Sequence, residues 1–180
     1  MRLAEVRWAV EVATAIQEAA NREGLGPATS PPVDPLARAV TDPDLLRVSK
    51  KLYADGHCAQ AVEEAYKYLN NLVKSRSKLS ATEIAQIKDG SALMKRVFSV
   101  SSPVLMLNRL KTDSQRNQQL GYMEILSGCM TGIRNPRAHE HGYLDEPSIA
   151  LEILTWANHL VRVVKSAHRT PKPRKKAINQ

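Results

Sequence analysis

Near the amino terminus, apolar side chains recur at Leu3, Val6, Val10, Ala13, Ile16 and Ala20, a spacing of three to four that draws one stripe along a helix. The stripe stops near Gly24. From Gly24 to Pro35 the chain holds two glycines and four prolines, Pro27, Pro31, Pro32 and Pro35, which neither a helix nor a sheet interior tolerates. The pattern predicts a helix over 1–23 and a linker over 24–35, the helix being either an appended element or a piece that packs back on the main domain.

Beyond the linker, Asp42-Pro43 reads as an N-cap followed by proline at the first helical position, opening a helix that runs to about Asp55 and stops at Gly56. Cys58, Ala61, Val62, Ala65, Tyr66, Leu69, Leu72 and Val73 then hold a helical stripe for four turns, with Glu63 and Lys67 spaced to pair. Ser80 and Glu83 fit a capping box, and Ala92, Leu93, Val97 and Phe98 mark a further helix ended by Ser101-Ser102-Pro103. From about Asp113 a long helix aligns Leu120, Met123, Leu126, Met130 and Ile133, with Gly121, Gly128 and Gly132 on a neighbouring stripe. Each interior glycine costs about 1 kcal/mol, so the series predicts a second backbone close by, in a tightly packed helix pair or a dimer seam. The last helix opens at Asp145-Glu146-Pro147 and continues through Ile149, Ala150, Ile153, Leu154, Ala157, Leu160, Val161 and Val164. No strand alternation and no repeat is visible. The expected fold is all-α, an antiparallel helical bundle over 36–167 followed by a basic tail over 168–180.

Composition narrows the class. At 180 residues and about 20 kDa, with 43% hydrophobic and 24% charged residues, the chain suits one compact globular domain. No apolar run nears the roughly 18 residues of a membrane span, and Glu5, Glu11 and Glu18 interrupt the first 20 residues, unlike a secretory signal. A cytoplasmic protein without membrane contact is expected. Cys58 and Cys129 are too few for a disulfide scaffold or a four-cysteine zinc site and read as buried thiols. With aromatics at 4%, a stacked platform for single-stranded nucleic acid is not expected. Of the net charge of +8, six Lys/Arg and no acid lie in the last 16 residues, leaving 20 basic against 18 acidic residues elsewhere. That tail, with Lys172, Arg174, Lys175 and Lys176, is either a solubilising end or a polyanion contact such as an RNA-binding strand.

The chain has no P-loop, dinucleotide fingerprint, nucleophile elbow or zinc-protease motif. His57-Cys58 and His139-Glu140-His141 lack structural-zinc spacing, so neither metal nor cofactor is expected. The informative stretch is Gly132-Ile133-Arg134-Asn135-Pro136-Arg137-Ala138-His139. In an unbroken helix Arg134 and His139 would diverge by about 140°. Proline disfavours a helical predecessor, which makes Asn135 the expected break point, and a break lets the two converge. A guanidinium binds phosphate permanently and an imidazole exchanges a proton near neutral pH, so together they form a minimal phosphodiester-cleaving pair. The competing reading is local: Arg and Asn cap the last carbonyls of a helix, and His139 is structural. Glu63 and Glu64 read as solvated helix charge.

Arg134-Asn135-x-x-x-His139 at the end of a helix resembles the R-x4-6-H signature of the HEPN superfamily (higher eukaryote and prokaryote nucleotide-binding domains). Together with Gly56-His57, Ala61-Val62-Glu63-Glu64-Ala65-Tyr66-Lys67, Asp89-Gly90-Ser91-Ala92-Leu93-Met94 and Gly121-Tyr122-Met123, it is similar to a Ymh-type family over about residues 44 to 165. The resemblance implies a metal-independent endoribonuclease acting on RNA as a homodimer with a composite active site, used as a toxin or effector in toxin–antitoxin, abortive-infection or phage-defence systems. It implies catalytic roles for Arg134 and His139, with Asn135 in support, and an antitoxin or defence-system partner protein. Arg137 lies inside the motif, where the resemblance gives it no role, and a nucleic-acid phosphate contact is the expectation for it. Some HEPN toxins carry a tyrosine two residues beyond the motif histidine, where this chain has His141. The rivals are a non-catalytic helical module binding a nucleotide, nucleic acid or protein, and a structural regulator.

Overall fold

The computed structural model describes Thr14, Ala15, Glu18, Ala19 and Arg22 together with residues 34–140 and 142–170. The chain divides into two compact units, Met1–Asp34 and Pro35–Gln180. In the first, Thr14, Ala15, Glu18, Ala19 and Arg22 are helical and exposed. The rest of the expected first helix, nearly all of the linker, His141, and the tail residues Lys172, Arg174, Lys175 and Lys176 lie outside the described residues.

The second unit is an all-α bundle. Its elements are α1 (Pro35–Ala39), α2 (Pro43–Ala54), α3 (Cys58–Ser77), α4 (Ala81–Ala85), α5 (Gly90–Val97), β1 (Leu105–Met106), α6 (Asp113–Cys129), a π-helical turn (Met130–Arg134), α7 (Asn135–His139), α8 (Pro147–Ser166) and β2 (His168–Arg169). The helix starts follow the caps in the sequence. Asp42 accepts from the Leu45 N–H ahead of Pro43, both bonds of the Ser80–Glu83 capping box form, and Asp89 and Thr112 cap α5 and α6. Gly56, at φ 81°, supplies the left-handed turn between α2 and α3.

Helix α3 is the centre of the bundle and packs against α2, α5, α7, α8 and the π turn. Ala61, Val62, Ala65, Tyr66, Leu69 and Val73 are sealed from solvent on one face, against Ala150, Leu154, Ala157, Leu160, Val161 and Val164 of α8 in the same core. Each fully buried leucine-sized side chain contributes about 1.5–3 kcal/mol. Asn158, Lys165 and Gln119 tie polar groups into this packing. Asn158 of α8 accepts from the N–H groups of Thr41 and Asp42, at 3.1 and 2.9 Å, and Lys165 reaches Asp42 at 2.6 Å. Gln119 donates to the carbonyls of Phe98 and Leu105 and accepts from the Leu107 N–H, pinning the chain after α5 to α6.

Four details depart from expectation. The short helix α1 forms where the linker was expected to end, because Pro35 suits the first helical position and Leu36 is fully buried. Leu105 and Met106 pair antiparallel with Arg169 and His168, a ladder too short to show alternation. Lys67 pairs with Glu64 at 2.8 Å rather than with Glu63. Finally, a Cβ at Gly121, Gly128 or Gly132 would meet nothing within 4 Å among the described residues, so no other described backbone of the second unit closes on this stripe. The tightly packed helix pair expected there is corrected to an open face.

Candidate functional site

The helix carrying the motif does not break at Asn135. Proline at 136 has no N–H, and its ring would collide with the Gly132 carbonyl in a regular α-helix. The chain relieves that crowding by widening: Met130–Arg134 form a π turn, and the Asn135 N–H donates five residues back to the Met130 carbonyl. Arg134 (φ −74°, ψ −46°) and Asn135 (φ −63°, ψ −44°) stay helical, so the expected break is corrected to a widened turn. Across α7 the two motif side chains retain the roughly 140° divergence of a helix, and the expected convergence of Arg134 and His139 within one protomer is not formed.

Arg134 and Asn135 are brought together. The Arg134 Nη1 donates to Asn135 Oδ1 at 3.3 Å, and both residues line a cavity of about 210 Å³. Asn70 and Lys74 of α3 form one wall, and Lys88, Asp89 and Gly90 form another where α5 begins. Met130, Leu93, Ile84 and Ile87 complete it with apolar surface. The lining is cationic: Lys74, Lys88 and Arg134 face one carboxylate, Asp89, which accepts the Ala92 N–H at 2.8 Å as the cap of α5. None of these three cations is ion-paired among the described residues. Lys67, on the same side of α3, is raised in pKa chiefly by its hydrogen bond to Glu64, with Arg134 opposing.

His139 lies at the end of α7, exposed and outside the cavity lining, its imidazole without a hydrogen bond to any described residue. Arg137 is placed differently from a phosphate contact. Its Nε and Nη2 grip the two oxygens of Asp145, both at 2.6 Å, its Nη1 donates to the Ile133 carbonyl, and its guanidinium lies 4.8 Å over the Tyr143 ring. Its side chain is 4% exposed, so the expected nucleic-acid contact is corrected to a buried tie between the motif and the start of α8.

One cluster escaped the sequence reading. The exposed Trp156 stacks on His159 at 5.2 Å, and His159 Nε2 is 2.9 Å from the Tyr122 hydroxyl, linking α6 to α8. The only sequence signal is the three-residue spacing of Trp156 and His159 on one helix. Cys58 and Cys129 are free, buried thiols, as expected, and burial raises both thiol pKa values. Among the described residues no three metal-ligating side chains gather, and no helix is long and apolar enough to cross a membrane.

The fold and cavity define an all-α bundle with a cationic recess built around a π turn. Residues 39–164 match the family described as "Protein of unknown function (Hypoth_ymh)", and the chain belongs to that family. No curated protein and no solved structure matches it.

Proposed function

We propose that the chain is a HEPN-type, metal-independent endoribonuclease that acts as a homodimer. The observation that carries this reading is Arg134, unpaired by any carboxylate among the described residues and held by Asn135, on the wall of a cationic cavity, with an exposed His139 five residues further on. Arg134 binds the scissile phosphate and stabilises the extra charge of the phosphorane, while Asn135 orients the guanidinium. RNA supplies the nucleophile. His139 takes the proton from the 2′-OH as that oxygen attacks phosphorus, the P–O5′ bond breaks, and the 5′-oxygen leaves with a proton drawn from solvent water, giving a 2′,3′-cyclic phosphate and a 5′-OH.

Because Arg134 and His139 diverge within one protomer, the imidazole that serves a given Arg134 comes from the opposite copy. Two features support such a pairing. Gly121, Gly128 and Gly132 present an open stripe beside the exposed Ile125. Gly132 and His139 are seven residues apart, about two helical turns, which puts the imidazole on the same side as that stripe. A cytoplasmic toxin or defence effector, restrained by an antitoxin or defence-system partner, is the role this chemistry suits, and the basic tail adds phosphate affinity.

Cleavage of labelled RNA by purified protein without metal tests the reading. Arg134→Ala and His139→Ala are each expected to abolish cleavage with the helical content retained. A second reading, a non-catalytic module that binds phosphorylated ligands, is favoured by the position of His139 outside the cavity; RNA bound but left intact by the wild-type dimer would establish it.

A further inference from the structure

The cavity contains more binding groups than the motif supplies. Lys74 approaches from α3 and Lys88 from the loop ahead of α5, neither of which belongs to the motif, and neither lysine is ion-paired among the described residues. Asp89 offsets one of the three positive charges, and its carboxylate already serves the Ala92 N–H. The balance near +2 complements a phosphomonoester, which carries about −1.5 to −2 near pH 7, better than a diester with its single charge.

Asn70 adds an independent indication. Its Oδ1 is buried without a hydrogen-bond partner among the described residues. Gly90 lies against it: a Cβ there would be 3.0 Å from Oδ1 and 3.1 Å from Met130 Cγ, so a side chain at this position would crowd the amide and the methionine. A sealed, unpaired acceptor is destabilising. Asn70 also lines the recess, so its amide adds a polar group beside the three cations. At about 210 Å³ the recess equals roughly seven waters at about 30 Å³ each, room for a phosphate with its sugar.

We propose that this cavity is a receptor for a sugar phosphomonoester, its phosphate held by Lys74, Lys88 and Arg134 with the Asn70 amide as a fourth donor. The inference rests on the reading of Arg134 given above and adds the class of group that the recess takes, whether a free sugar phosphate or the phosphorylated end of an RNA chain.

Calorimetric titration of the full chain with inorganic phosphate, ribose 5-phosphate and ribose tests it. Ribose 5-phosphate is expected to bind, ribose not, and inorganic phosphate more weakly than the ester. Lys74→Gln and Lys88→Gln, on partly or fully exposed residues, should each weaken binding by about tenfold or more. In the His139→Ala background, tighter binding of a 5′-phosphorylated than of a 5′-hydroxyl RNA oligonucleotide identifies the RNA end as a source. Equal binding of the two oligonucleotides, with ribose 5-phosphate still dependent on Lys74 and Lys88, identifies the free sugar phosphate. Ribose 5-phosphate that fails to bind, or binds the Lys74→Gln/Lys88→Gln double variant as tightly as wild type, overturns the proposal. Loss of the nuclease reading is separable: absent RNA cleavage with intact, lysine-dependent sugar-phosphate binding removes the enzyme and leaves the receptor.

Discussion

The guanidinium of Arg137 and the carboxylate of Asp145 are joined by two hydrogen bonds of 2.6 Å, with side chains only 4% and 5% exposed. This pair joins α7 to the segment that leads into α8, and so fixes the chain on both sides of the exposed His139. A buried ion pair gains stability only through good geometry and complete pairing, and Arg137 has both, with Ile133 and Tyr143 as further partners. Asp145→Ala leaves an uncompensated guanidinium and is expected to cost about 3–5 kcal/mol in urea unfolding. A double variant, Arg137→Met with Asp145→Leu, should recover most of that loss, whereas a cost equal to the single variant would show that the pair is not the source.

Asn158 is the corresponding tie at the other end of the bundle. Its Oδ1 accepts two backbone N–H groups, so Asn158→Leu strands both and should lower stability by about 2 kcal/mol or more. Thr155→Ala, three residues away on the exposed face with a bond only to its own helix, is the control and is expected to change stability little.

Alkaline pH should loosen the fold for three reasons of the same sign. Burial raises the Cys129 thiol and the Tyr66 phenol, and the hydrogen bond to Asp42 raises the Lys165 ammonium. In each case the folded chain holds its proton more tightly than the unfolded chain. The contribution is therefore complete below the unfolded pKa, about 8.5 for cysteine, 10 for tyrosine and 10.4 for lysine, and is lost as pH rises from there through the folded value. Urea midpoints measured from pH 7 to 11 should fall above about pH 8.5, and Lys165→Gln should flatten the part of the curve above about pH 10. A midpoint that rises across this range contradicts the assignment.

The open glycine stripe separates protomer stability from self-association. Nothing lies near a Cβ at position 128, so Gly128→Ala should stabilise the helix of an isolated protomer by up to about 1 kcal/mol. Where two copies meet along this face, the added methyl intrudes. Sedimentation should then show weaker dimerisation together with a more stable protomer; unchanged dimerisation would place the seam elsewhere.

What was legible in the chain was local. The caps at Asp42 and Ser80, and the stripe from Cys58 to Val73, depend on residues within a turn or two, and the structure realises each of them. The motif residues Arg134 and Asn135 were singled out and do line a cavity, but their backbone was misjudged. The rule that proline excludes a helical predecessor assumes regular α geometry, and the π turn at Met130–Arg134 escapes it by lengthening one hydrogen-bonded ring. The rest depends on partners distant in sequence. Arg137 was assigned to phosphate because Asp145 could not be seen to face it, and Lys74 and Lys88 gave no signal because their convergence requires α3 and the start of α5 to pack beside the motif. The glycine stripe predicts a close second backbone, in a packed helix pair or a dimer seam, and spacing alone cannot say which, because it does not show which side of a helix stays open.

The central claim is that a guanidinium from one protomer and an imidazole from its partner cleave RNA together. Mixing Arg134→Ala with His139→Ala after dissociation and reassembly tests it most directly. Each variant alone should be inactive, whereas mixed dimers retain one intact pair, and an equimolar mixture should recover about a quarter of wild-type cleavage. Full activity in His139→Ala alone, or two inactive variants that stay inactive when mixed into proven heterodimers, would contradict the account.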